Sequence, residues 1–331
     1  MFGATAFAVA TFISNLRMTG IIMLIKQKDS LDQSIQQLET IAPRNDLPRH
    51  IRERVQMELR TLKAGMRGEK DAAYFINFDF AESKNWAVIH DLRIVHQGLV
   101  AQIDHLLVSR FLEFYVLESK SFSTGIKITE QGEFLVEYNS GHVAIESPIE
   151  QNRRHGLVLW KVLQNSGLLP IRLGITLQPR IFSYVLVSPK SVVKRPPKKN
   201  FNTDMVIKSD VLLKNIEAAD EKASTLAVAG SFAKMVSSET LEQIARGLVT
   251  LHQPATANYF EKFGIAPFAP NNPSPILPTP IEEKEIVQSH AAGYYCFKCK
   301  QPITKRVAQF CFDNKKRFGG RAYCFNCQKL F

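Results

Sequence analysis

Asp104, Glu118 and Lys120 are the residues whose types and spacing best suit joint chemistry in this chain. They lie in the stretch QIDHLLVSRFLEFYVLESK, where two apolar runs, Ile103 to Val108 and Phe114 to Leu117, flank a polar break at Ser109 and Arg110. That pattern reads as two paired strands with a tight connection. Side chains alternate along a strand, so Glu118 and Lys120 share a face. If the connection is centred on Phe111, residues equidistant from it pair, and Asp104 faces Glu118. Opposed Cβ atoms lie about 4.5–5.5 Å apart. At about 5 Å and an effective dielectric of about 20, two carboxylates repel by roughly 3 kcal/mol. A half-buried pair therefore calls for a cation. Mg²⁺ or Mn²⁺, bound by a few carboxylates plus water and phosphate oxygen, would meet that need. Lys120 beside it could hold an attacking water or offset charge on a phosphoryl oxygen. The competing reading is a surface hairpin with an ordinary ion pair, but the apolar content of Phe114 to Leu117 favours a central strand. The arrangement depends on register, because a one-residue slip sends Asp104 to the far face.

The elements that must position these groups follow from periodicity. Leu31, Ile35, Leu38 and Ile41 share one helical stripe. Pro43 and Pro48 interrupt it, and Asn45 or Asp46 is expected to cap a second helix that Gly65 and Gly68 end near Lys63. A shorter helical stretch, GEKDAAYFINF, then starts at Gly68 and puts Glu69 in its first turn, where the helix dipole favours a carboxylate. Trp86 to His96 reads as a strand, with His90, His96 and His105 as structural imidazoles. After Lys120, Gly125 breaks the strand, and short β pieces follow at 126–129, 134–138 and 143–145. Ser147-Pro148-Ile149-Glu150 matches a capping box. The helix it opens carries Gln151, Arg154 and His155, near enough to the amino end to meet phosphate or water, or else to form a solvated face. Arg180 to Pro189 is a buried strand, followed by a basic loop, 190–200, with Lys194, Arg195, Lys198 and Lys199 as candidate phosphate contacts. Met205 to Lys208 reads as a strand, and helices are expected at about 210–221 and 225–251. Recurrent proline marks 265–290 as a stiff linker.

The carboxyl-terminal module, 291–331, holds all five cysteines. Cys296-x-x-Cys299 and Cys324-x-x-Cys327 form two knuckles, the spacing of a tetrahedral structural zinc site. Cys311, between them, reads as a small buried hydrophobe or an alternative ligand. Lysine and arginine, including Lys315, Lys316, Arg317 and Arg321, alternate here with aromatic residues and a single acid, Asp313. Cations interleaved with aromatic faces suit single-stranded or distorted nucleic acid, although part of that aromatic set must serve the module's own core.

The 331-residue chain is long enough for two or three domains, and its 45% hydrophobic and 22% charged content is that of a soluble globular protein. A net charge of +11 favours polyanionic partners, nucleic acid or an anionic membrane. The few cysteines do not make a secreted disulfide framework, which points to a reducing cytoplasm. Residues 1–27 read as an apolar extension. Asn15 and Arg17 split it into runs too short to cross a bilayer, so a membrane anchor is not the expected role, and neither is a secretory signal.

Positions 66–165 resemble the nuclease-related domain, NERD. The matching motifs are Gly68-Glu69, Ile103-Asp104-His105, Glu118-Ser119-Lys120, Gly125 and Pro148-Ile149-Glu150-Gln151, five in order. The resemblance implies an α/β, restriction-endonuclease-like fold with a mixed central sheet flanked by helices, spanning 66–264 after a helical lead-in at 28–65. It implies Asp104 and Glu118 as Mg²⁺ ligands, with the Ser119 carbonyl as a third. Lys120 becomes the catalytic lysine, Glu69 an accessory acid and Gln151 an orienting residue. The terminal module is similar to the zinc ribbons of bacterial type I topoisomerases, apart from its long middle segment and Cys311. The combined expectation is a metal-dependent DNA nuclease with a zinc-ribbon DNA-binding arm and no small-molecule cofactor. The runner-up is a non-catalytic nucleic-acid-binding protein, and a third reading is a membrane-associated factor.

Overall fold

The computed structural model describes residues 23–122, 124–138, 141–221, 230, 233–266 and 294–328. They divide into two units, Met1–Pro267 and Phe268–Phe331. The first is built on a six-stranded mixed sheet in the order β1-β2-β3-β4-β10-β12. Its strands are β1 (Leu24–Lys26), β2 (Trp86–His96), β3 (Leu99–Ser109), β4 (Glu113–Lys120), β10 (Arg180–Val187) and β12 (Val206–Lys208). β2, β3 and β4 pair antiparallel, whereas β1 joins β2, and β10 and β12 follow β4, in parallel. Central position explains the near-continuous apolar sequence of β3 and β4, since both faces are covered by helices.

One face packs under α3 (Pro148–Asn165) and α5 (Ser238–Thr250), through Val158, Leu159, Val162, Leu241 and Ile244. The other packs under α2 (Arg49–Phe80) and α4 (Leu212–Glu221), through Ala72, Ile76, Phe80, Leu212 and Ile216. A short helix, α1 (Asp32–Ile41), packs with α2 and with α6 (Tyr259–Lys262) through Leu38, Ile41, Val55 and Tyr259. A second sheet, ordered β11-β5-β6-β7, comprises β5 (Ile126–Ile128), β6 (Phe134–Tyr138), β7 (Gly141–Ile145) and β11 (Val193–Lys194). A two-stranded hairpin, β8 (Ile171–Arg172) with β9 (Ile175–Thr176), precedes β10.

The β3–β4 register is the one that symmetry about Phe111 requires, with His105 opposite Leu117 and Val108 opposite Phe114. Ser147 caps α3 as the capping box implies, its hydroxyl accepting from Glu150 N at 3.4 Å. Other expectations need correction. Gly65 and Gly68 do not end a helix, because α2 runs unbroken through both for 32 residues. The strong helix formers around them outweigh a cost of about 1 kcal/mol per glycine. Gly68 instead marks a close approach, since a Cβ there would lie 2.7 Å from Ser121 Cβ. Glu69 is thus mid-helix, and the dipole explanation for it fails. Neither Asn45 nor Asp46 caps α2, which starts after Pro48 with no side-chain cap. The last long helix begins only at Ser238, with Ser237 accepting from Thr240 N at 3.1 Å. Within the apolar extension, Leu24–Lys26 is an edge strand of the main sheet, while residues 1–22 lie outside the described residues. The basic loop contains β11, which pairs with β5 beside Gly125. At Gly125 φ is +112° and a Cβ would meet Val192 O at 3.1 Å. From 267 onward the proline-rich stretch also lies outside the described residues.

The second unit is a small knot of β13 (Tyr294–Tyr295), β14 (Pro302–Ile303), α7 (Lys305–Asp313), α8 (Lys315–Phe318) and α9 (Phe325–Gln328). Its core is Cys296, Ala308, Cys311, Phe318, Ala322, Tyr323 and Cys327.

Candidate active site

The β3–β4 ladder stops at His105 and Leu117, one residue short of Asp104 and Glu118. Asp104 fills the opening: its Oδ2 accepts from both Ser119 N and Ser119 Oγ, each at 2.8 Å. A carboxylate thus takes the place of the next backbone acceptor, and Oδ1 has no hydrogen bond to a described residue. Glu118 is 2% exposed. Lys120 Nζ lies 2.6 Å from Glu118 Oε1 and donates to Gln151 Oε1 at 3.4 Å. Glu118 Oε2 is buried with no hydrogen-bond partner among the described residues. His155 Nδ1 lies 3.8 Å from that oxygen and is itself buried without a hydrogen-bond partner among the described residues.

Each supporting element brings its residue for a local reason. The contact of Gly68 with Ser121 holds α2 against the end of β4, and Glu69 follows directly. Lys28, from the segment after β1, forms an ion pair with Glu69. On α3, buried Asn152 donates Nδ2 to Val116 O and Tyr184 O, both at 2.9 Å, clamping the helix across β4 and β10. Gly156 permits the same approach, since a Cβ there would lie 3.3 Å from Ile181 Cγ2. Gln151 and His155, one turn apart, are thereby set toward Lys120 and Glu118.

The electrostatics are those of crowded acids. Burial, and then Asp104, push Glu118 up to about 7 against the pull of Lys120, and Glu69 adds to the rise. Burial and Asp104 also raise Glu69, opposed by Lys28. Burial lowers His155, with Asp104 acting in the other direction. Behind the site, His90 Nδ1 meets His105 Nδ1 at 2.8 Å, and His90 Nε2 meets Asn77 Oδ1 at 2.9 Å. Both rings are held neutral, mainly by burial, with values near 3. These two histidines tie β2 and β3 to α2 as structural groups.

An open cleft of about 1110 Å³ reaches this cluster on one side, lined by Lys28, Glu69, Asp91, Asp104 and the Asn258–Lys262 turn. Glu118 and Lys120 do not line it, so the cleft meets the cluster from the Asp104–Glu69 side. The basic candidates elsewhere are variously engaged. Arg154 pairs with Glu146, Lys194 with Glu137 and Lys198 with Asp204. Arg195 donates to Thr203 O at 3.0 Å and Val206 O at 2.6 Å, which makes its guanidinium a brace for the loop. Lys199 is exposed. Lys28 and Asn152 escape sequence reasoning. Lys28 belongs to no motif, whereas Asn152 could have been found from its place on the inward stripe with Gly156 and Leu159.

In the second unit, the Sγ atoms of Cys296, Cys299, Cys324 and Cys327 all lie within 4.8 Å of one another. Among the described residues this is the one group of three or more such ligands so closely gathered. A tetrahedral ion with bonds of about 2.3 Å sets its sulfurs about 3.8 Å apart, so the cluster fits zinc. Cys311 stands outside it, buried, accepting from Tyr323 N at 3.4 Å and Gln328 Nε2 at 3.2 Å. Phe312, Phe318 and Tyr323 join the core, while Tyr294, Tyr295, Phe297, Phe310 and Phe325 are exposed. Lys315 and Lys316 are exposed, and Arg317 and Arg321 lie over the rings of Phe318 and Phe297 at 5.1 and 4.1 Å.

No curated protein and no solved structure matches the chain. Residues 64–188, which include every residue of the acid cluster except Lys28, match the family model for NERD, the nuclease-related domain.

Proposed function

We propose that the chain is a metal-dependent nuclease that hydrolyses phosphodiester bonds in DNA, on a restriction-endonuclease-like core. The observation that carries this reading is the buried Glu118 Oε2, without a hydrogen bond among the described residues, on a carboxyl group that feels the charge of Asp104 and lies beside Lys120 and Gln151. Two carboxylates with oxygens to spare fit a hard, oxygen-seeking divalent cation that keeps much of its water. Asp104 and Glu118 would hold Mg²⁺ or Mn²⁺, which when bound supplies Lewis-acid stabilisation of the phosphoryl charge. Ser119 fixes the orientation of Asp104 through two hydrogen bonds. Lys120, held between Glu118 and Gln151, is placed to orient a water and to offset charge on a non-bridging oxygen. Glu69, raised by burial and steadied by Lys28, is placed to accept a proton at the edge of the cleft.

The second unit supports a nucleic-acid partner. From Tyr294 onward the chain has lysines and arginines at nine positions against the single acid Asp313. A cavity of about 500 Å³ there is lined by Arg306, Phe310, Arg317 and Phe325, cations beside open aromatic faces on which bases could stack. Zinc, held by the four cysteines, would fix this surface.

Incubation of the purified protein with supercoiled and single-stranded DNA in Mg²⁺ or Mn²⁺ tests the assignment. Cleavage is expected, abolished by chelation and reduced at least about 100-fold in Lys120→Ala, the scale of losing one transition-state donor. DNA binding without cleavage, or an equally active Lys120→Ala, would reject it.

A further inference from the structure

At the end of the main sheet remote from the acid cluster, large apolar side chains stand in solvent. The β8–β9 hairpin turns through Leu173 and Gly174, at φ +50° and +78°. Such a two-residue turn favours Asn, Asp or Gly at its first position. Here it presents leucine, 96% exposed, with Ile171 and Ile175 also exposed beside it. The tip is held firmly. Arg172 donates to Met235 O at 2.9 Å and also to Ala233 O, and Leu177 N donates to Pro170 O at 2.9 Å across the base. Gln164 Nε2 donates to Gln178 Oε1 at 2.9 Å, joining the base to α3. One turn earlier on α3, Trp160 and Leu157 are exposed, so the apolar stripe extends along the helix.

The chain before β1 joins the unit at this same end. Met23 N donates to Ala81 O and Met23 O accepts from Val88 N, next to Trp86, which pairs with Ser109 at the mouth of the β3–β4 turn. Arg180 N, starting β10 after the hairpin, donates to Leu112 O in that turn. Residues 1–22 are apolar in sequence, with Arg17 their one charged side chain. Lys161 and Arg172 flank the hairpin and Lys234 donates to Gln178 O at its base, whereas Arg180 pairs with Glu113. Lys120 closes the opposite end of β4, about 23 Å away at about 3.3 Å per residue.

We propose that this end of the unit is a membrane-seating surface. The β8–β9 tip and the Leu157–Trp160 stripe enter the interfacial layer of an anionic bilayer, and the acid cluster at the other end of β4 is left facing water. Interfacial seating needs no bilayer-spanning run, so the break at Asn15 and Arg17 does not oppose it. Cations around an apolar tip match the anionic headgroups of a cytoplasmic leaflet. The hairpin tip and the helical stripe together expose an extended apolar surface flanked by cations, which favours a broad lipid surface over a compact ligand.

The two tryptophans provide the readout: Trp86 is buried, and Trp160 is 46% exposed. The full chain is floated with phosphatidylcholine vesicles with and without phosphatidylserine, and its tryptophan emission is followed with brominated acyl chains. Flotation with the anionic vesicles, a blue shift and quenching of Trp160 are expected. Leu173→Asn, which suits the positive φ and keeps the fold, should weaken partitioning about tenfold, the equivalent of burying one leucine. Absence of flotation would overturn the proposal. So would flotation without quenching and indifferent to Leu173→Asn, which would leave residues 1–22 as the whole anchor. Concentration-dependent dimerisation in buffer that shifts Trp160 emission and is lost in Leu173→Asn would assign the patch to a second copy instead.

Discussion

At the level of single residues, the acid cluster is a place where the fold works against itself. Glu118 sits 2% exposed with one oxygen paired to Lys120 and the other without a hydrogen bond among the described residues. Burial and the charge of Asp104 hold its proton on up to a pH of about 7, against 4.5 for a free glutamate. The sign follows directly. Between these two values the folded protein binds a proton that the unfolded chain has released, so this group's contribution to stability falls as pH rises from 4.5 to 7. Above that it costs up to about 3 kcal/mol, at about 1.4 kcal/mol per pH unit. Glu118→Gln should therefore stabilise the chelator-treated protein at pH 8 by about 1–3 kcal/mol, and Mg²⁺ should no longer raise its melting temperature. A destabilised variant, or one whose melting still responds fully to Mg²⁺, would show that Glu118 is an ordinary ion-pair partner of Lys120.

At the level of elements, the site depends on how closely α2 can approach the end of β4. Gly65 and Gly68 are three residues apart in the same helix but meet different surroundings. A Cβ at Gly65 would find only Glu69 Oε1, at 3.8 Å, whereas one at Gly68 would strike Ser121 Cβ at 2.7 Å. Gly65→Ala should stabilise the protein by up to about 1 kcal/mol through helix propensity. Gly68→Ala should destabilise it by about 1–3 kcal/mol through overpacking. By moving Glu69, it should also lower kcat/KM at least tenfold. Equal effects of the two substitutions, measured by urea unfolding and DNA cleavage, would refute the close-approach role. This pair also shows where sequence stops being legible. The β3–β4 register could be read, because a short connection and alternating side chains leave few ways to pair Asp104 with Glu118. The continuity of α2 could not, because a glycine that breaks a helix and one that admits a neighbouring strand look alike until that strand is placed. β1 was hidden in an apolar run, since a three-residue edge strand has no periodicity of its own. β11 was hidden among lysines and prolines, and Lys28 reaches Glu69 only through the tertiary fold.

For the whole molecule, the question is what the excess positive charge does, and the second unit separates two answers. Lys315 and Lys316 are exposed cations, whereas Phe310 lines a cavity between Arg306 and Arg317. Phosphate contacts release counterions, so each one lost from a single-stranded complex should flatten the plot of log K against log salt by about 0.7. Stacking releases none, yet is worth about 1–3 kcal/mol per base. Lys315→Ala combined with Lys316→Ala should therefore reduce the salt slope by about 1.4. Phe310→Ala should weaken binding about tenfold or more with the slope unchanged. Zinc removal, or Cys296→Ser, should produce both losses together, because the four-cysteine cluster ties α9, with Phe325, to the Cys296–Cys299 segment in a unit with little other core. Two binding units on one chain also raise each other's effective concentration at the same DNA. The zinc-free protein should accordingly cleave with a raised KM and an unchanged kcat, since no residue of the acid cluster belongs to the second unit. Fluorescence titration of a labelled oligonucleotide across a salt series, alongside steady-state cleavage, measures all of these. A uniform loss in every variant with no change in slope would mean that the basic charge of this unit serves its own solubility and not a nucleic-acid backbone.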